Sequence, residues 1–233
     1  MKTPDWKTIK LVVFDLDGTL YDQHRVRTAM AARLLWATLL ARDTSLARTL
    51  RAFRICREEL GDGQAPDFLE QQYVLCAARC GRTVEEVRAL TAEWMEQRPL
   101  PLLRKARAAA VTRFFRALSA TGRTIAIFSD YPVREKLAAL ELDADIVVSA
   151  TDTDVARLKP DPTGLNKILR LSGNAPSSTL MIGDRFDRDW QVARQAGVDA
   201  IIRSRRTDIR CPTFQAYDEP LFQPVLREAA GCA

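Results

Sequence analysis

"KLVVFDLDGTLYD", residues 10–22, is the stretch on which the reading of the fold turns. Its apolar run hardly alternates with polar residues, the composition of a strand covered on both faces. The run ends in Asp15 and Asp17, and Gly18 and Thr19 follow at once. Acids after a strand are common because turns favour Asp and Gly. Two acids spaced by two on an extended chain also point to one side, which is how a phosphate-handling site can begin.

Similar short runs recur far downstream: "TIAIFSD" at 124–130, "ADIVVSA" at 144–150, "TLMIGD" at 179–184 and "AIIRS" at 200–204. Helical patterns lie between most of them, over residues 102–120, 134–142, 163–171 and 189–196. Gly122, Gly173 and Gly197 stand just past three of these, where helices stop. Strand–helix alternation of this kind predicts an α/β fold, an open Rossmann-like parallel sheet with helices on both faces.

Residues 21–98 carry no strand signal and read as about four helices. Leu69, Tyr73, Ala77 and Cys80 form one apolar stripe, and Thr83 with Glu86 makes a capping-box pattern ahead of Val84, Val87 and Trp94. "GDGQAP" at 61–66 reads as a turn between helices. Met30, Trp36 and Trp94 read as helix-bundle core. The predicted organisation is therefore a core of residues 1–20 and 99–233 with a helical cap, residues 21–98, inserted after the first strand. Such an insertion sits over the carboxyl ends of the strands, where open α/β sheets bind ligands.

Composition narrows the chemistry. The chain has 233 residues, 47% of them apolar, enough for a sizeable core. The apolar stretch around residues 30–41 contains Arg33 and is too short to span a bilayer, and the N-terminal residues lack a signal-peptide pattern. The expectation is a cytoplasmic protein with no membrane partner. Five cysteines, Cys56, Cys76, Cys80, Cys211 and Cys232, are odd in number and scattered, which fits a reducing compartment. Cys76 and Cys80 are four apart, but no second ligand pair follows, so they read as buried thiols. The net charge of +5 is spread along the chain, and "RSRRTDIR" at 203–210 reads as a solvated loop, so no nucleic-acid partner is expected. His24 is the only histidine, which excludes multi-histidine metal sites and leaves the chemistry to carboxylates, lysine and a hard metal.

Each strand ends in such groups: Asp15 and Asp17, then Ser129 and Asp130, then Asp184, Asp187 and Asp189 in "GDRFDRD", while "KPDP" offers Lys159. Acids gathered on one sheet edge repel by roughly 4 kcal/mol per pair at about 4 Å unless a cation sits among them. An all-oxygen cluster suits Mg²⁺, which keeps several waters and takes substrate phosphate.

"DLDGT", the serine after the second strand, "KPDP" and "GDRFDRD", in this order, resemble the haloacid dehalogenase superfamily, and the insertion resembles its members with a C1-type helical cap, phosphoglycolate phosphatase-like. That resemblance implies a Mg²⁺-dependent phosphomonoester hydrolase acting on a small phosphorylated metabolite through an aspartyl-phosphate. Asp15 is implied as nucleophile and Asp17 as general acid and base. Ser129, Asp130, Lys159, Gly18 and Thr19 are implied at the phosphate, with Ser129 and Lys159 also catalytic. Asp15, Asp184, Asp189 and the Asp17 carbonyl are implied around the metal, with Asp187 the alternative last acid. The chain departs from many relatives in carrying Arg188 and Asp130 where they have Asn or a small residue. A dehalogenase lacks the acid that Asp17 provides, and a phosphonate hydrolase needs a cap lysine, which residues 21–98 do not contain. A phosphosugar mutase and a catalytically silent binding protein of the same fold remain alternatives. Eight arginines in the first half of the cap, at positions 25, 27, 33, 42, 48, 51, 54 and 57, raise the expectation of a second anionic group on the substrate, with a solvated arginine face as the other reading.

Overall fold

The computed structural model describes residues 3–63 and 67–231; part of the turn expected over 61–66, and Cys232, lie outside them. Six strands form one parallel sheet: β1 (Leu11–Phe14), β2 (Thr124–Ser129), β3 (Ile146–Ser149), β4 (Thr179–Gly183), β5 (Asp199–Arg203) and β6 (Thr213–Phe214). Their spatial order is β3-β2-β1-β4-β5-β6, so the order reverses at β1 and β4. In register, Phe14 of β1 stands between Ile127 and Ile182. The first five strands fall where their apolar runs predict; the sixth has two residues and no such run.

The pleat sends successive β1 side chains to opposite layers. Val12 and Phe14 pack with Phe114, Leu118, Leu137, Tyr217, Phe222 and Leu226. Leu11 and Val13 pack with Leu165, Ile168, Val192 and Ala193. Helices α6 (Val111–Ala120), α7 (Arg134–Leu140) and α10 (Gln223–Gly231) cover the first face, and α8 (Thr163–Ser172) and α9 (Gln191–Gln195) the second. The proline-containing tail is thus part of the core, with Tyr217 and Phe222 fully buried.

Between β1 and β2 stand α1 (Gln23–Ala41), α2 (Ser45–Asp62), α3 (Phe68–Cys80), α4 (Val84–Thr91) and α5 (Leu100–Ala106), with a wide helical turn at Ala92–Gln97. Asp22 caps α1 by accepting the Arg25 N–H, and Thr83 and Glu86 form the reciprocal capping box expected of them. Phe53, Cys56, Cys76, Ala77 and Val87 make the small core of this cap.

The structure corrects three readings. The helix expected over 102–120 is two, α5 and α6, because Arg107 is extended and Ala110 is left-handed. The break lets the returning chain pair with the outgoing one: Tyr21 and Arg107 form an antiparallel bridge, flanked by Asp22 N–H to Ala106 carbonyl (2.7 Å) and Ala108 N–H to Leu20 carbonyl (2.9 Å). Trp36 is not core but 66% exposed, since α1 docks through Val26 and Met30 and its far half projects outward. The inward face of α3 is wider than expected: Phe68, Gln72, Cys76 and Ala77 are buried, Leu69, Tyr73 and Cys80 pack half-buried beside them, and Gln72 accepts from the buried Arg57.

Cap and core meet along α2. Leu60 and Phe68 pack on Ala150 and Leu158, and full burial of a phenylalanine contributes about 1.5–3 kcal/mol. Arg57, 5% exposed, donates to the Gln72 side chain and the Asp130 carbonyl and lies over the Phe68 and Tyr131 rings.

Candidate active site

All of the acids and the lysine singled out from the sequence leave the carboxyl ends of β1, β2 and β4 or the loop after β3, at the point where strand order reverses. Asp15 follows β1 and is held in line by its N–H on the Ile182 carbonyl (2.8 Å). Its two carboxylate oxygens are engaged separately: one accepts from Lys159 Nζ (2.6 Å), the other from Thr19 Oγ1 (3.0 Å). Lys159 Nζ also donates to Asp189 Oδ1 at 2.6 Å. Asp189 Oδ2 in turn accepts the backbone N–H groups of Asp184 and Arg185, both at 3.0 Å. One ammonium therefore spans two carboxylates in a site where Asp15, Lys159 and Asp189 are all buried.

Asp15, Asp184 and Asp189 bring carboxylate oxygens within 4.8 Å of one another. Close approach is built into the backbone: a Cβ on Gly18 (φ +99°) would lie 2.1 Å from Asp184 Oδ2, and one on Gly183 would lie 2.2 Å from Asp189 Cβ. Burial raises the Asp15 carboxyl to about 7, with Asp189 adding to the rise and Lys159 opposing it. Burial, then Asp15 and Asp189, raise Asp184 to about 8. Two carboxyls that resist ionisation, facing a third through oxygen donors only, fit a hard divalent cation whose charge would restore them. Asp15, Asp184 and Asp189 are the residues that would hold or orient it. Asp187 is outside this group, exposed and paired with Arg185.

Asp17 belongs to a second cluster. Both its oxygens accept from Lys136 Nζ at 2.7 Å, and one also accepts from the Tyr21 hydroxyl. Burial pushes its carboxyl up, but the Lys136 charge and hydrogen bond, with the Tyr21 bond, outweigh burial and leave it below the usual range. Asp17 is thus an anion flanked by two groups that carry protons. Asp17 is expected at the metal through its carbonyl, and its carboxylate is not part of the Asp15–Asp184–Asp189 group.

Ser129 is buried, and its Oγ accepts the Tyr131 N–H (3.1 Å), which leaves its own proton to donate. The Asp130 carboxylate accepts the Lys159 backbone N–H (2.9 Å), tying the lysine loop to β2. Arg188 turns away from the acids: it donates to the Lys159 carbonyl (2.6 Å), to Glu58 (3.0 Å) and to Asp62 (2.6 Å). Both departures from the family pattern therefore build structure around the site.

A cavity of about 120 Å³ opens over Asp17, walled by Tyr21, Val26, Arg27, Met30, Arg54, Trp94, Tyr131 and Lys136 among others. Met30 and Trp94, read from the sequence as core, line it. Of the eight cap arginines Arg27 and Arg54 reach it, and neither has an ion-pair partner among the described residues. Burial and then the neighbouring Arg27 pull the Arg54 guanidinium down, while Tyr131 opposes them.

Lys136 and Arg203 were not found by sequence reading. A signal existed for the first: Lys136 stands on the apolar stripe Val133, Leu137, Leu140 of α7, where a lysine needs a buried partner. Arg203, at the end of β5, donates to the carbonyls of Gly18 (2.7 Å) and Tyr21 (3.3 Å) and so braces the loop after β1; nothing local sets it apart from the arginines that follow.

Fold and site together define an α/β protein with a helical cap over a cluster of buried carboxylates at its sheet switch point. The family model for haloacid dehalogenase-like hydrolases matches residues 9–197, and the chain belongs to that family. Among solved structures it is similar to a 2-haloacid dehalogenase from Pseudomonas syringae pv. Tomato DC3000, at 22% identity over 96% of this chain and 98% of that one, TM-score 0.62. A HAD phosphatase from Thermococcus onnurineus matches at 16% identity over 96% and 98%, TM-score 0.54. A predicted phosphoglycolate phosphatase from Haemophilus somnus 129PT matches at 19% over 93% and 91%, TM-score 0.53. At these identities the likeness is one of fold. No curated protein matches the chain by sequence. Among the described residues no helix is long and apolar enough to cross a membrane.

Proposed function

We propose that the chain is a Mg²⁺-dependent phosphomonoesterase acting on a small phosphorylated metabolite. One observation carries the choice of phosphate ester over carbon–halogen bond: the Asp17–Lys136–Tyr21 cluster on the cavity floor. Halide leaves without a proton, so proton donors beside the leaving group have no task in breaking a carbon–halogen bond. An alkoxide leaving group needs a proton, and the water that later attacks must lose one.

In this reading Asp15 attacks phosphorus and becomes the aspartyl-phosphate as the ester P–O bond breaks. No histidine is required, because a carboxylate needs only to be ionised. Lys159 fixes one Asp15 oxygen and Thr19 the other, which limits the rotation of the nucleophile. Ser129 donates to a phosphoryl oxygen. The Asp17 carboxylate relays to the departing oxygen a proton drawn from the adjoining Lys136 or Tyr21, and later takes one from the attacking water, which restores the donor. A Mg²⁺ ion at Asp15, Asp184 and Asp189 would supply the positive charge that keeps these acids ionised and offsets the phosphoryl oxygens.

The cavity is small against the ~300–1,000 Å³ of drug-sized sites, which favours a leaving alcohol of a few carbons. Arg27 and Arg54 favour one that bears a second anionic group. The test is hydrolysis of an aryl phosphate with and without Mg²⁺, followed by a panel of short phosphate monoesters and, in parallel, 2-haloacids. Activity on the phosphates that EDTA and Asp15→Asn each abolish is expected. Halide release without phosphate release, or a full rate in EDTA, would overturn the assignment.

A further inference from the structure

The outer half of α1 carries an apolar face that the site does not use. Leu35, Trp36, Leu39 and Leu40 are 60%, 66%, 61% and 69% exposed. Over residues 28–41 the only charged side chain is Arg33, which folds back to the Arg98 carbonyl (3.1 Å). At 100° per residue Ala32, Leu35, Trp36 and Leu39 share one side of the helix, with Ala31 and Leu40 at its margins. Together these side chains leave roughly 500 Å² of apolar surface in water, near the largest patch a monomer ordinarily shows.

We propose that this face is the two-fold interface of a homodimer in which α1 packs antiparallel on α1 of a second copy. The argument for a copy of the same chain is the polarity of the face. Its large residues, Leu39 and Leu40, stand at the C-terminal end, and its small ones, Ala31 and Ala32, both exposed, stand two turns earlier. An axis passing near Leu35 and Trp36 sets the leucines of each copy over the alanines of the other, the self-complementary arrangement that a two-fold interface requires. Two such faces bury about 1,000 Å² from the helices alone, the threshold for a specific interface. The inner side of the same helix lines the cavity through Val26, Arg27 and Met30, so pairing would fix the two caps to each other and leave the cores to move.

The full chain is measured by light scattering after size exclusion and by sedimentation equilibrium, from about 1 to 100 μM. Wild type is expected to run as a dimer. Leu39→Glu and Trp36→Glu, at exposed positions outside the site, should raise the dissociation constant at least about tenfold with an unchanged thermal midpoint. Ala32→Trp separates this register from general stickiness: it adds apolar surface, yet it should dissociate the dimer by filling the place of the partner's leucine. A wild-type monomer throughout, a dimer indifferent to Leu39→Glu, or a tighter dimer in Ala32→Trp would each overturn the proposal. So would a monomeric wild type that sediments with phosphatidylglycerol–phosphatidylcholine vesicles, which would make the face a membrane contact.

Discussion

Binding of Mg²⁺ to the Asp15–Asp184–Asp189 cluster should depend steeply on pH, and the dependence follows from the site. In the metal-free protein Asp15 titrates at about 7 and Asp184 at about 8, each held up first by burial and then by its acidic neighbours. The ion needs both as carboxylates, so each proton bound is a competitor. Raising the pH through this range removes the competition and strengthens binding; lowering it weakens binding with a slope that approaches one proton per ion below about pH 8 and two below about pH 7. Between about pH 9 and pH 6 the combined penalty is roughly a thousandfold in affinity, about 4 kcal/mol at about 1.4 kcal/mol per pKa unit. Near pH 7.5 about one proton should leave per ion bound, the sum of a mostly protonated Asp184 and a mostly ionised Asp15. Titration calorimetry in two buffers of different ionisation enthalpy reads that number directly. An affinity flat from about pH 6 to 9 with no proton released, or one unchanged in Asp184→Asn, would refute the electrostatic account of the cluster.

The remaining expectations concern the same network. A carboxyl raised in the folded state stabilises the fold when protonated and costs it stability as pH rises through the folded value. Asp184→Asn should therefore raise the thermal midpoint of the metal-free protein near pH 8.5, by roughly 2–8 °C for about 1–2 kcal/mol in a half-buried group, measured by calorimetry in EDTA; a lower midpoint would contradict the repulsion described. Lys136→Met removes the cation that holds the Asp17 carboxyl low, so the limb of the kcat/KM profile belonging to Asp17 should move to higher pH, with metal affinity little changed; an unmoved limb would disconnect the two residues. Arg188→Met loses bonds from an almost buried guanidinium to the Lys159 carbonyl and to Glu58 and Asp62. A cost of about 1–3 kcal/mol and a higher KM are expected in denaturation and steady-state assays, and an unaltered KM would mean that the cap seats without this contact.

The strands and the acid positions were legible because each depends on a few adjacent residues: an apolar run, then a turn-forming acid. The family resemblance gave Asp15 and Asp17 separate roles, but sequence could not show that the Asp17 carboxylate joins a second cluster, because that depends on Lys136, 119 positions away, reaching the same loop. The break at residues 107–110 was invisible for the same reason. Nothing in "KARAAAVTRF" opposes a continuous helix; Arg107 is extended because Tyr21 offers it a bridge. Trp36 misled in the opposite sense, since a tryptophan on a helical pattern is ordinarily covered, and exposure is a property of how far α1 projects. Arg57 among the cap arginines and Arg188 beside the last acid gave no local sign of burial, because their acceptors, the Asp130 carbonyl and the Lys159 carbonyl, lie far away in the sequence.

The paired connection at Tyr21 and Arg107 also bears on how the chain folds. β1 must find β2 across an insertion of more than a hundred residues, a search whose entropic cost grows with the logarithm of the loop. Once the short Tyr21–Arg107 bridge has formed, the ends of residues 22–106 are held at neighbouring positions, and the chain that remains between β1 and β2 is little longer than α6 and its flanking turns. Closing that loop in advance lowers the later cost by roughly 1.3 kcal/mol on a Jacobson–Stockmayer scale. A cap that collapses first thus shortens the effective contour of the core, and an insertion of this length need not slow the assembly of the sheet it interrupts.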